Sequence, residues 1–202
     1  METAPVGRKL PSDLENPIDD VMLNVITRIH PLFRSLGFSA NGITVLSGII
    51  QLAAVYCLWN GAYIASAILY IIGYFFDVMD GWYARYYHIT SDIGDMLDHG
   101  KDIIVHILLI AVIIASDFPM WWKLGFVVTF VGMMIINSVY ISCQEAYYNK
   151  RYEGASFLML SSLCTQEDAV DRLRMYRWFG PGTCVTASAV FIAILSVVQM
   201  KK

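Results

Sequence analysis

Five apolar stretches, at residues 42–59, 61–79, 103–116, 119–143 and 183–199, set what this chain can become. A helix needs about 20 apolar residues to cross a hydrocarbon core, and backbone inside that core must satisfy its own hydrogen bonds, so such runs predict membrane-spanning helices. The stretch at 103–116 is short, but a helix starting near Gly94 makes up the length. Composition agrees: 57% of the residues are hydrophobic and 15% are charged, whereas roughly a quarter are charged in ordinary soluble domains. The mean hydropathy is +0.55. A formal charge of −3 offers no electrostatic footprint for nucleic acid, which is excluded as a partner. The expected fold is therefore an all-α integral membrane protein.

Around the spans the chain divides in three. Residues 1–16 are polar and interrupted by Pro5, Gly7 and Pro11, and they read as a mobile tail with neither an apolar core nor a secretory leader. Residues 17–37 form an amphipathic helix: Ile18, Val21, Met22, Val25, Ile26 and Ile29 recur at spacings of three and four. Asn16 and Pro17 mark its start and Gly37 its stop, and its place is in the membrane interface. Residues 38–202 are the transmembrane domain. Within it the run 154–164 is too short to cross unless tilted or extended, and Gly180-Pro181-Gly182 precedes the last span.

Lys and Arg concentrate on the cytoplasmic side of membrane proteins. Arg8, Lys9, Arg28 and Arg34 precede the first span, and Arg85 and Lys101 flank the turn between the second and third, so both regions are expected to face the cytoplasm. Lys201 and Lys202 return there only if 154–164 contributes a crossing, which favours six spans over five. Trp121 and Trp122, and the Tyr83, Tyr86 and Tyr87 cluster, read as interfacial aromatic belts. Cys57, Cys143, Cys164 and Cys184 stand singly, with no Cys-x-x-Cys pair, and read as buried thiols.

Chemistry concentrates between positions 77 and 102, where six of the 17 acidic residues fall: Asp77, Asp80, Asp92, Asp95, Asp98 and Asp102. A carboxylate at the bilayer centre costs about 3 kcal/mol on insertion scales, and several side by side repel one another, so a cation is expected among them. Helical spacing places Asp77, Asp80, Gly81, Ala84 and Arg85 on one face, and Gly94, Asp98 and Asp102 on another. Oxygen donors without a histidine or cysteine constellation suit a hard divalent ion such as Mg²⁺ or Mn²⁺. Gly81 and Gly94 leave room for a phosphate or nucleotide, and Arg85 offers a bidentate donor. Asp92 and Asp95 read more simply as solvating the turn or capping the next helix.

The order Asp77-x2-Asp80-Gly81-x2-Ala84-Arg85-x8-Gly94-x3-Asp98-x3-Asp102 resembles the signature of the CDP-alcohol phosphotransferase family at all eight specified positions. The resemblance implies six transmembrane helices, a homodimer, and transfer of a phosphate-linked group from a CDP-activated donor to an alcohol with release of CMP. It implies two divalent ions, Mg²⁺ or Mn²⁺, on Asp77, Asp80, Asp98 and Asp102, with Asp102 also the general base. Asp80, Gly81, Ala84, Arg85 and Gly94 would line the cytidine diphosphate pocket. A Pro-Asn-x-x-Thr pattern of many members is imperfect here, with Ala40 before Asn41 and Thr44. Asn41 either faces the nucleotide or caps a helix.

The chain's shortness resembles the branch that joins CDP-diacylglycerol to a small polar alcohol. Asp98-His99-Gly100 resembles the branch that joins CDP-choline or CDP-ethanolamine to diacylglycerol. A divalent-cation transporter is the alternative from another class, although it would string carboxylates across the bilayer instead of gathering them at one edge. Membrane lipids are expected partners throughout, the active site is expected at the cytoplasmic face, and the membrane is that of the endoplasmic reticulum if the source is eukaryotic.

Overall fold

A computed structural model describes residues 5–148 and 163–199, and among these the regular structure is entirely helical. Helix α1 spans Pro17–Ser35, α2 Ala40–Trp59, α3 Tyr63–Tyr86, α4 Asp92–Ala115, α5 Met120–Tyr148, α6 Ala169–Tyr176 and α7 Pro181–Gln199. Local chemistry sets several boundaries. The Asn16 side chain accepts from the Ile18 amide at 3.1 Å, and Gly37, at φ 79°, takes the left-handed conformation that ends the helix. Ser39 caps α2 and Ser91 caps α4, each hydroxyl accepting from an amide three residues on. Asp92 and Asp95 then lie in the first turn of α4, where the helix dipole favours negative charge.

Three single helices, Ala40–Trp59, Tyr63–Tyr86 and Met120–Tyr147, are long and apolar enough to cross a membrane, as is the composite Ala169–Gln199 containing α6 and α7. Helix α4 is as long as α3, yet its first half carries Asp92, Asp95, Asp98, Lys101 and Asp102, and only the part from Ile103 to Ala115 is continuously apolar apart from His106. The α2–α3 turn, the α4–α5 turn and Gln199 share one end of the bundle, around a cavity of about 560 Å³. At the other end, Gly182 of α7 meets Asn16 and Asp19. Five helices thus run between the two ends, and the expected six spans are not found among the described residues. Residues 154–162 of the run that would supply the sixth lie outside the described residues. Cys143 and Cys164 form a disulfide, with Cα atoms 5.1 Å apart. That bond corrects the expectation of four thiols; Cys57 and Cys184 are free.

Helices α2 and α3 form the most extensive pair. Ser47 donates to the Gly73 carbonyl at 2.9 Å, and a Cβ on Gly73 would stand 3.2 Å from the Gln51 amide nitrogen, so only glycine permits this approach. The main core joins α2, α3, α4, α5 and α7 around Tyr70, Leu109, Phe126 and Ile192. Helix α1 buries Leu23 and Ile26 against Met79, Trp82 and Tyr83 of α3, while Val21, Val25 and Leu32 point outward. Its apolar residues are therefore divided between the protein and the surroundings. Tyr83 is fully buried and donates to the Phe38 carbonyl, Tyr86 stacks on Trp82, and Tyr87 pairs with His30. These tyrosines hold α1 in place and do not form the expected belt. The segment before α1 also differs from a mobile tail, since Leu10 and Leu14 are buried beside Tyr140 and Leu173.

A polar knot locks the amino-terminal end of α1 to three other helices. Tyr74 donates to Asp19 at 2.7 Å, Tyr140 donates to Glu15 at 3.0 Å, and the Asn16 side chain donates to Thr183 at 2.8 Å. Asp19 also accepts from the Gly182 amide at the start of α7. Burial, with the Asp19 charge adding to it, raises the Glu15 pKa from its ordinary 4.5 to about 7. Burial raises Asp19 to about 6. An unfolded chain releases these protons at lower pH than the folded one, so their effect is to lower stability as pH rises through the interval between the two values. Melting temperature in detergent is expected to fall as pH rises from about 4.5 to about 7. Glu15→Gln keeps an acceptor for Tyr140 without the charge; it should flatten that slope and melt several degrees higher above pH 7, as a thermal-shift series across pH would read.

Candidate active site

The last turns of α3 and the first turns of α4 carry all eight motif residues, joined by a turn that His88 closes at φ 55°. Carboxylate oxygens of Asp77, Asp98 and Asp102 lie within 4.8 Å of one another, all three residues half-buried. Lys101 sits among them. Its ammonium bonds Asp77, Asp98 at 2.9 Å and Asp102 at 3.2 Å, with Ser47 Oγ at 3.4 Å and only 8% of the side chain exposed. Room for its stem comes from Gly48, where a Cβ would stand 3.2 Å from Lys101 Cγ.

Beside this cluster opens a cleft of about 110 Å³. Helix α3 contributes Asp80, Gly81, Ala84 and Arg85, helix α4 contributes Gly94 and Asp98, and Asn41 and Thr44 of α2 form part of the wall. The cap of α2 is Ser39, so Asn41 faces the cleft and not the helix terminus. Gly94 lets the Asn41 amide approach: a Cβ there would lie 2.8 Å from Asn41 Oδ1 and displace it. The Arg85 guanidinium lies over Gly81, and its Nε donates to the Gly7 carbonyl at 2.8 Å. Asp80 is 5% exposed, and its buried Oδ2 has no hydrogen-bond partner. Such an atom normally finds a donor or a cation, because leaving it unsatisfied in a low dielectric is costly. Three clustered carboxylates and this orphaned oxygen make an oxygen-only donor set that fits a hard divalent cation.

Polar side chains outside the cleft have other partners. His106 packs edge-on against Phe130. Arg172 bonds the Leu163 carbonyl and Asp168, Arg174 reaches Asp13, and Arg177 bonds the Asp13 carbonyl; none of them lines the cleft. Sequence reasoning missed two cations. From sequence Lys101 reads as a marker of the cytoplasmic side, although its place between Asp98 and Asp102 on one helix is a usable signal. Lys9, from the segment before α1, lines the cleft, and nothing in its own neighbourhood of sequence announces that.

Membrane-length helices with an acidic cleft at one end describe an integral-membrane enzyme better than a channel, whose polar groups would run from end to end. The family profile for CDP-alcohol phosphatidyltransferase matches residues 38–198, most of the chain, and the protein belongs to that family. Membership carries transferase chemistry on a CDP-alcohol and a role in phospholipid synthesis. No individual curated protein matches the chain.

Removing the Lys101 charge leaves three neighbouring carboxylates opposed only by one another. Lys101→Met is expected to lower stability by roughly 2 kcal/mol without divalent ions, less than for a fully buried pair because Asp98 and Asp102 keep some solvent. Added Mn²⁺ should then raise its melting temperature by more than it raises that of the unaltered protein. Equal melting curves for the two proteins without metal would show that the lysine does not neutralise the cluster.

Proposed function

We propose that the protein transfers a phosphatidyl group from CDP-diacylglycerol to a small polar alcohol, releasing CMP. The observation that carries this reading is that six of the eight motif residues, Asp80, Gly81, Ala84, Arg85, Gly94 and Asp98, line one cleft, while the other two, Asp77 and Asp102, join Asp98 in the carboxylate cluster beside it. In this reading Asp77, Asp80, Asp98 and Asp102 hold two divalent ions, Mg²⁺ or Mn²⁺. Bound there, the ions would offset the charge of the diphosphate and stabilise CMP as a leaving group.

The chain's own residues do the rest. Gly81, Ala84 and Gly94 keep the cleft wide enough for a nucleotide to approach backbone, and Arg85 binds a phosphate oxygen through its guanidinium. Asp102 takes the proton of the acceptor hydroxyl. The hydroxyl oxygen then bonds to the phosphorus of the phosphatidyl group, and the bond from that phosphorus to the bridging oxygen breaks, its electron pair leaving with CMP. Residues 17–37 lie in the interface and residues 38–202 form the catalytic membrane domain, with the active site at the cytoplasmic face, where Arg8, Lys9, Arg28, Arg34, Arg85 and Lys101 cluster. In a eukaryote the membrane is that of the endoplasmic reticulum, and the working unit is a homodimer.

A second donor branch has one specific observation in its favour: His99 of Asp98-His99-Gly100 lines the cleft. A CMP-release assay in detergent or lipid with Mg²⁺ or Mn²⁺ separates the branches. CDP-diacylglycerol is paired with inositol, serine or glycerol phosphate, and CDP-choline or CDP-ethanolamine with diacylglycerol. Turnover is expected in the first set. In that assay Asp98→Asn should lose activity by about a thousandfold or more, the scale for removing a group that stabilises transition-state charge, while the variant still elutes as folded protein. Full activity in the purified variant would refute the ligand assignment.

A further inference from the structure

We propose that Lys9 is a donor-binding residue whose ammonium, together with the Arg85 guanidinium, holds the diphosphate of the CDP-linked substrate. The inference rests on the functional reading above and extends it to a residue outside both the motif and the 38–198 span that defines the family. Lys9 lines the same cleft as Asp80, Gly81, Arg85 and Gly94.

Its position follows from the segment that carries it. Gly7 adopts φ 85° and packs so closely on the Trp82 indole that a Cβ would come within 2.7 Å of it. The Gly7 carbonyl receives the Arg85 Nε hydrogen bond, so the backbone two residues before Lys9 is tied directly to the motif arginine. Arg8 is buried and bonds Ser12 at 3.0 Å, Asp20 at 2.5 Å and Asn24 at 2.8 Å, and on the other side of Lys9 the Leu10 side chain is fully buried. Both neighbours are therefore fixed, and Lys9 extends from an anchored backbone.

The charge pattern indicates the ligand. Both Arg85 and Lys9 line the cleft, and burial first, then the nearby arginine's charge, disfavours the Lys9 ammonium. An anion received between two such cations relieves their repulsion and gains a charge-assisted hydrogen bond from each. Glu145 of α5 approaches Lys9 at 3.4 Å, but the lysine side chain is 36% exposed, and pairs of this kind hold weakly. The glutamate orients the lysine without saturating its three donors. A diphosphate carries charge on both phosphates, and the motif itself supplies one arginine to meet it.

The test uses the full-length protein in detergent with Mg²⁺, and CDP as the calorimetric probe. Lys9→Gln should weaken CDP binding about tenfold, the scale of one hydrogen bond to a charged group. It should raise KM for the CDP-linked donor similarly, with kcat and the acceptor KM little changed, and Lys9→Arg should recover most of the affinity. On the unaltered protein, CDP should slow acetylation of Lys9 by an amine-reactive reagent, read by mass spectrometry, which decides the matter even if the glutamine variant fails to fold. Unchanged CDP affinity in a folded Lys9→Gln variant, or Lys9 labelling indifferent to CDP, overturns the inference. A rise in acceptor KM alone also overturns it, assigning the lysine to a phosphate on the acceptor. If the unaltered protein neither binds CDP nor releases CMP with any substrate pair, the functional reading falls as well.

Discussion

Several carboxylates can share one crossing of two membrane helices only if positive charge is placed among them. Here that charge is the Lys101 ammonium, which bonds Asp77 on α3 and Asp98 and Asp102 on its own helix. The surrounding architecture accommodates it. Gly48 clears a path for the lysine stem, Ser47 reaches both the ammonium and the Gly73 carbonyl, and Gly73 lets α2 and α3 close on each other. A polar centre in an apolar bundle is thus built from close backbone packing as much as from charge, since small residues allow the helices to approach.

The cleft beside that centre depends on contacts far from the motif in sequence. Helix α1 lies across the end of α3, and Glu15, Asn16 and Asp19 tie its start to Tyr140, Thr183, Tyr74 and the first turn of α7. Arg174 and Arg177 meet Asp13 and hold the segment before α1. One wall of the site is therefore supported by residues that have no part in its chemistry.

Much of this was legible in the sequence because it is periodic or repulsive. Apolar runs announce the long helices, the spacing of three and four announces α1, and the cost of grouped carboxylates alone points to residues 77–102. What escaped lacked a local signal. Leu10 and Leu14 are two apolar residues in a polar stretch, and their burial depends on where Tyr140 and Leu173 arrive. The Cys143–Cys164 bond joins positions 21 apart that no motif links. The sixth span expected from the terminal lysines rests on residues 154–164 and 201–202, most of which lie outside the described residues. The substrate pair within the family is not written in the motif, which describes the CDP end of the reaction common to all members.

The ion pairs of α4 bear on how the protein is made. Lys101 bonds Asp98 and Asp102 on the same helix, one of them three residues away, so the most polar part of α4 brings its own counter-charge. A charged residue at mid-bilayer costs about 3 kcal/mol on insertion scales, and partial neutralisation within one helix lowers that penalty before any neighbour has docked. The polar start of α4 is therefore partly neutralised by its own lysine whether or not α3 has packed against it.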